Sequence, residues 1–293
     1  RELVKVNPEL TLETLEREFG NFSRNELLEV KTGRRNLIWA LEKLCFREET
    51  FSRATKVLCQ FAAAENEDWA NNATGQFKIL FQPLLGGTQA NLTERINLLR
   101  EIVVEGGFYE VQVCLKAIEA ALKSSHFTRT VGAELQGGSG PLEQYFPTHD
   151  ELLDYWIANL NLLTRIIHEF ESLQDNAIKV LSNKFQEHTQ TPLFDHYCST
   201  IEQLNRDLDL NWSKVTKSLN RTLKFLDDDE VQIQERINEL IDLLSENETI
   251  KRLEKVVKQG IVENKSDDLR DWELAEKESK KLGENFAEDP EQD

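Results

Sequence analysis

Only a few groups of residues in this chain have the types and spacing for chemistry. His188, Asp195, His196 and Cys198 are the densest collection of metal-ligating side chains. Zinc takes imidazole, thiolate and carboxylate, but this spacing matches no standard site and no second pair completes it. The simpler reading is a helix-hairpin turn at Thr191-Pro192 with surface histidines. Asp227-Asp228-Asp229-Glu230 places carboxylates in succession, which suits a weakly held cation or the positive start of a helix, the latter being simpler. Gly137-Gly138-Ser139-Gly140-Pro141 lacks the lysine and preceding apolar strand of a phosphate cradle and reads as a flexible loop. His126 and His168 stand alone, as structural histidines do. The sequence holds no Walker A loop, no strand followed by G-x-G-x-x-G, no H-E-x-x-H and no G-x-S-x-G. The expectation is a chain with no catalytic centre, no cofactor and no metal.

The elements that would position such residues are helical. Leu37, Trp39, Leu41, Leu44 and Cys45 form a broad apolar surface on a helix from Arg34 to Phe46. Phe51, Ala54, Val57, Leu58, Phe61 and Ala62 recur at i, i+3, i+4 spacing to Ala64. Phe77, Leu80 and Phe81 close a third helix before Pro83 and Gly86-Gly87. Asn91-Leu92-Thr93-Glu94 is a capping box opening a helix through Ile96, Leu99, Ile102 and Val103. Val111, Cys114, Leu115, Ile118 and Leu122 follow. The β-rich flanks of Gly106-Gly107 carry a hairpin signal, but an isolated hairpin is marginal and no other strand accompanies it, so a helix–loop–helix break is expected. The expected core includes Trp39, Leu44, Phe51, Leu58, Phe61, Phe77, Phe81, Tyr155 and Trp156.

The texture changes after Pro147. Thr148-His149-Asp150-Glu151 is a second capping box, and no glycine follows until Gly260. Leu160, Leu163, Ile167, Phe170, Gln174, Ala177 and Leu181 step by three and four. So do Leu208, Trp212, Val215, Leu219, Thr222 and Leu226, then Ile233, Ile237, Leu240 and Leu244, and finally Ile250, Leu253 and Val257. The breaks between these seams argue for antiparallel helices packed within one chain. The fold class read here is all-α, at least 60 % helix and without a sheet. Stacked helical hairpins in a TPR/HEAT-like superhelix run on into longer packed antiparallel helices. Residues 1–147 form the helical-repeat array, 148–226 the long-helix segment, and 227–293 an acidic helical end with a disordered tail.

Composition narrows the function further. The chain has 293 residues, a net charge of −18 and four cysteines, none in a C-x-x-C pair. Of that charge, −12 lies from Asp227 onward, a field that repels phosphate backbones. No direct nucleic-acid binding is expected. Without an apolar run of membrane-spanning length or a signal-peptide core, no membrane association is expected either, and cytoplasmic placement with reduced, buried cysteines follows. The Arg1 start does not read as a natural N-terminus.

Trp39, Trp156 and Trp212 lie on helical apolar patterns, whereas Trp69 is different: it sits in the polar run Glu65-Asn66-Glu67-Asp68-Trp69-Ala70-Asn71-Asn72. Two readings apply, a helix junction with asparagine caps and a partner contact. The candidate partner-binding residues are Glu65, Asn66, Glu67, Trp69, Asn71 and Asn72.

This junction belongs to a longer series of short motifs. Gly33-Arg34-Arg35-Asn36-Leu37-Ile38-Trp39-Ala40-Leu41-Glu42-Lys43-Leu44 is followed by Ala62-Ala63-Ala64-Glu65-Asn66-Glu67, then Asn71-Asn72-Ala73-Thr74 and Phe77-x-x-Leu80-Phe81. Gly87-Thr88-Gln89-Ala90, Arg95, Arg129-x-Val131-Gly132-Ala133-Glu134-x-Gln136-Gly137 and Asp154-Tyr155-Trp156 come after. Over roughly residues 30–185 the chain resembles the helical-repeat region downstream of the ATPase in large bacterial antiphage STAND NTPases, the Avs group. The resemblance implies a sensor that recognises a conserved phage protein such as terminase or portal, with recognition driving oligomerisation and effector activation. The ATPase and effector motifs of that group are missing here, so the resemblance implies a fragment or a stand-alone relative and no ATP hydrolysis by this chain. The expected function is a non-catalytic protein-binding scaffold. The alternatives are a structural or oligomerisation module using the 148–257 seams, and a metal-dependent hydrolase built on His188 to Cys198.

Overall fold

Helix starts follow side-chain capping chemistry. The computed structural model describes residues 2–129, 143–208, 210–227 and 229–245, and among these helix dominates, at 72 % with no strand. Asn7 caps α2 (Pro8–Phe19) by accepting from Leu10 N, after the short α1 (Glu2–Val6). Ser23 and Glu26 form a reciprocal capping box on α3 (Arg24–Glu29). The same device opens α7 (Leu92–Glu105) with Asn91 and Glu94, and α9 (His149–Glu169) with Thr148 and Glu151, as the sequence reads. Each cap satisfies N–H groups that have no partner inside the helix.

The helix at the centre of residues 1–200, one of two compact units, is α5 (Glu48–Ala63). It packs against α2, α3, α4 (Arg34–Leu44), α6 (Ala73–Ile79) and α8 (Phe108–Ala121). Phe51, Leu58 and Phe61 are buried on it, Phe77 on α6, and Leu80 and Phe81 just beyond. Gly106-Gly107 separates α7 from α8 as a break between helices, with Gly106 N donating to Ile102 O. α9 packs on α7, α8 and α10 (Gln174–Phe185). Its Tyr155 hydroxyl donates to Phe81 O at 2.9 Å. The second unit, residues 201–293, holds the second half of α11 (Phe194–Asp207), then α12 (Ser213–Leu223) and a helix α13 over 231–245. Trp212, Val215 and Leu219 are buried there, as are Ile237, Leu240 and Leu244 on α13. The division falls at Thr200, whereas the changes of pattern in the sequence lie at Pro147 and near 226.

Three expectations need correction. Trp39 is only half-buried, and Ile38 takes the inner position of α4 together with Arg34. The stepped seam from Leu160 to Leu181 is two helices: Phe170 leaves helical geometry at φ −122°, ψ 79°, and Glu171–Leu173 make a single 3-10 turn. Gln174 Nε2 donates to Ile167 O at 3.0 Å, satisfying a carbonyl that the broken helix leaves free. His188 is no surface histidine. It is fully buried, with Nε2 2.7 Å from Leu122 O and Nδ1 3.1 Å from Thr191 Oγ1. Trp156 meets its ring edge-on and Tyr197 stacks on it. Ile250, Leu253, Val257, the glycine cluster at 137–141 and the acidic tail lie outside the described residues.

Two outcomes test this packing. Phe61→Ala removes a fully buried ring beneath α4 and should lower stability by about 3–5 kcal/mol, read as a shifted urea midpoint. Burial holds the His188 pKa below its ordinary value despite the hydrogen bond to Leu122. The unfolded chain therefore binds the extra proton first, and stability falls as pH drops through the unfolded value of about 6.5 towards the lower folded one. Below the depressed folded pKa this loss stops growing. In His188→Gln the melting temperature should vary less across the same window.

Candidate functional site

The junction between α5 and α6 is built by three of the side chains singled out in the sequence. Glu65 Oε1 accepts from the backbone N–H of Asn66 (3.1 Å) and Glu67 (3.2 Å), while Oε2 accepts from Thr74 N at 2.9 Å. One carboxylate therefore ties the start of the junction to the first turn of α6. Asn66 Nδ2 donates to Leu28 O at 2.9 Å, anchoring the loop to α3. Asn72 caps α6 through Oδ1, which accepts from Gly75 N at 2.8 Å, and its Nδ2 donates to Glu67 O at 2.6 Å. Both ends of the loop are thereby held and its tip carries Asp68, Trp69, Ala70 and Asn71. Gly75 is required by close approach, since a Cβ there would run into the carbonyl oxygen of Ala70.

Beneath the junction lies Arg34, fully buried. Its NH1 donates to Leu27 O (2.7 Å) and its NH2 to Phe61 O (2.8 Å) and Ala64 O (2.6 Å). Desolvation lowers the Arg34 pKa, partly offset by Glu65 and Glu67. A guanidinium at the C-terminal carbonyls of α3 and α5 satisfies groups those helices leave open. The next residue points elsewhere. Arg35 places its guanidinium carbon 4.7 Å from the Trp39 ring centroid and 5.0 Å from that of Trp69. Trp69 remains 42 % exposed. Burial raises the Glu67 carboxyl pKa, opposed by Arg34, Arg35 and a hydrogen bond from Trp69, and Glu67 Oε2 has no hydrogen-bond partner among the described residues.

The structure thus brings all of Glu65, Asn66, Glu67, Trp69, Asn71 and Asn72 into one junction. Glu65, Asn66 and Asn72 spend their side chains on the loop itself, leaving Trp69 as the aromatic group presented outward. Arg35 and Trp39 escape the sequence reading because Trp39 was assigned to the core. Their i, i+4 spacing on α4 was the available signal.

The remaining chemical candidates are absorbed by the fold. Asp195 and His196 are exposed while His188 and Cys198 are buried, and among the described residues no group of three or more His, Cys, Asp or Glu is placed to hold a metal ion. All four cysteines are buried. Burial pushes the Cys45 thiol up to about 12 and raises that of Cys114, so neither supplies a thiolate near neutrality. Glu230 accepts from Asp227 N at 2.8 Å just before α13. Arg95 donates to Ala90 O and Gln82 O, both at 2.9 Å. Arg129 donates to Gly86 O at 2.6 Å and pairs with Glu42 at 3.3 Å. These arginines, prominent in the motif series, fasten loops. Positions 131–137 of that series lie outside the described residues.

No protein-family model, curated protein or solved structure matches this chain. Among the described residues no helix is long and apolar enough to cross a membrane.

The loop geometry separates support from presentation, and substitutions should follow that division. Asn72→Ala removes a helix cap and should cost about 1 kcal/mol. Gly75→Ala should cost more, because the Ala70 carbonyl must move. Trp69→Ala should change the denaturation midpoint less than either, all three being read in the same urea titration.

Proposed function

We propose that this chain is a non-catalytic, helical protein-binding scaffold of stacked hairpins in a TPR/HEAT-like arrangement. In the reading its motif series supports, it is the sensor region of a bacterial, cytoplasmic antiviral defence protein that recognises a phage protein. The observation that carries the binding reading is Trp69: an exposed indole on a loop braced at both ends and paired with an arginine. Tryptophan and arginine dominate binding energy at protein interfaces, and a contact held in place before binding loses less entropy when the partner arrives. The absorption of the polar clusters into caps and loop ties supports a binding role over catalysis. The burial of Leu160, Leu163, Ile167, Trp212 and Leu219 inside a single chain weighs against their serving as a seam between copies.

The test is direct titration of the purified chain with purified phage portal and large terminase subunits by calorimetry. One of the two should bind, and Trp69→Ala should weaken it by about thirtyfold, the loss of an interface hot spot. Failure of both to bind removes the phage partner. Binding that ignores Trp69→Ala moves the interface away from the α5–α6 junction.

A further inference from the structure

Arg34 and Arg35 are adjacent in sequence and opposite in use. Arg34 is consumed by three backbone carbonyls. Arg35 is exposed, and no hydrogen bond or ion pair engages its guanidinium among the described residues. It is held over two indole rings instead, at 4.7 and 5.0 Å from their centroids. Contact with ring faces restricts a side chain that is otherwise among the most mobile, and guanidinium N–H groups lie in its own plane, away from the faces that stack. The result is a guanidinium held against two rings, beside an exposed apolar surface on Trp69.

We propose that Arg35 is the anchor for a carboxylate on a protein partner, an Asp or Glu lying next to an apolar side chain that packs on Trp69. The proposal rests on the scaffold reading and names the chemistry its partner must carry. A planar guanidinium matches a carboxylate with two parallel hydrogen bonds, a geometry that lysine does not reproduce. Phosphate is the other anion of that shape. It is disfavoured here because Glu65, Glu67 and Asp68 stand within the same junction, and a dianion meets their repulsion more strongly than a monoanion does. Nucleic acid fails on the same ground, against a chain of net charge −18. Trp69 also supplies what a free small anion has no use for, an apolar face next to the fork.

The experiment uses the full chain and three fluorescein-labelled peptides followed by anisotropy at about 0.15 M salt, where screening limits distant charges to about 8 Å. One peptide alternates Asp or Glu with Leu, the second replaces each acid by its amide, and the third carries phosphoserine in their place. The acidic peptide should bind, and the amide peptide should bind at least tenfold more weakly. Arg35→Lys, which keeps the charge and loses the fork, should weaken the acidic peptide about tenfold with an unchanged thermal midpoint. Because the chain's net charge opposes an acidic peptide, non-specific attraction does not produce this pattern. The proposal is overturned if the acidic peptide fails to bind, if the amide peptide binds equally, if Arg35→Lys has no effect, or if phosphoserine is preferred. Should Trp69→Ala weaken a phage protein while Arg35→Lys does not, the scaffold stands and the carboxylate anchor falls. Should the acidic peptide bind through Arg35 while neither phage protein binds, the anchor stands and the phage partner falls.

Discussion

The buried guanidinium of Arg34 sets the geometry on which the rest of the N-terminal half depends. A charge taken out of water is costly unless every interaction around it is well formed. Here the compensation comes from carbonyls of Leu27, Phe61 and Ala64, so the ends of α3 and α5 must both converge on the first residue of α4. That fixes where α5 stops, which places Glu65 just past its C-cap Ala64, within reach of Thr74 N on α6. The junction, its cap and the projection of Trp69 all follow. Glu65 also lies 4.0 Å from the same guanidinium, so the loop tie and the buried cation support each other.

Much of this was legible in the chain before any coordinates. Capping boxes at Asn91 and Thr148 are local chemistry, with partners three residues apart, and they start helices where the pattern places them. The phenylalanines of α5 and α6 lie inward because helical spacing alone determines their common face. What escaped depends on contacts distant in sequence. Arg34 looks like any surface arginine until Phe61 and Ala64, some thirty residues away, bring their carbonyls to it. Trp39 looks like core until Arg35 shares its ring at the surface. The uninterrupted stepping from Leu160 to Leu181 hid a break at Phe170, because a three-four pattern continues unchanged through a single 3-10 turn while Gln174 repairs the carbonyl left behind. His188 stands out in the sequence as a metal-ligating type, whereas its ring is engaged by Leu122, 66 residues away, and packed by Trp156 and Tyr197.

The junction reads in the sequence as either asparagine caps or a partner contact, and its side chains differ in what they do in the fold. Asn72 is a cap and Asn66 a loop tie, whereas Trp69 is presented outward. The division has a physical reason. Short amides and carboxylates compete well for nearby backbone groups, so in a polar run they turn inward on the loop. The Trp69 indole has a single N–H, given to Glu67, and the rest of its large ring is left partly at the surface.

That arrangement has a consequence for how such a surface changes over time. The groups that hold the loop shut, Glu65, Asn66, Asn72 and Gly75, are different residues from those at its tip, and they act on backbone atoms rather than on the tip side chains. The exposed positions 68–70 can therefore be exchanged with less penalty to folding than the residues that hold the loop, so tip sequences can vary while the hairpin beneath stays fixed.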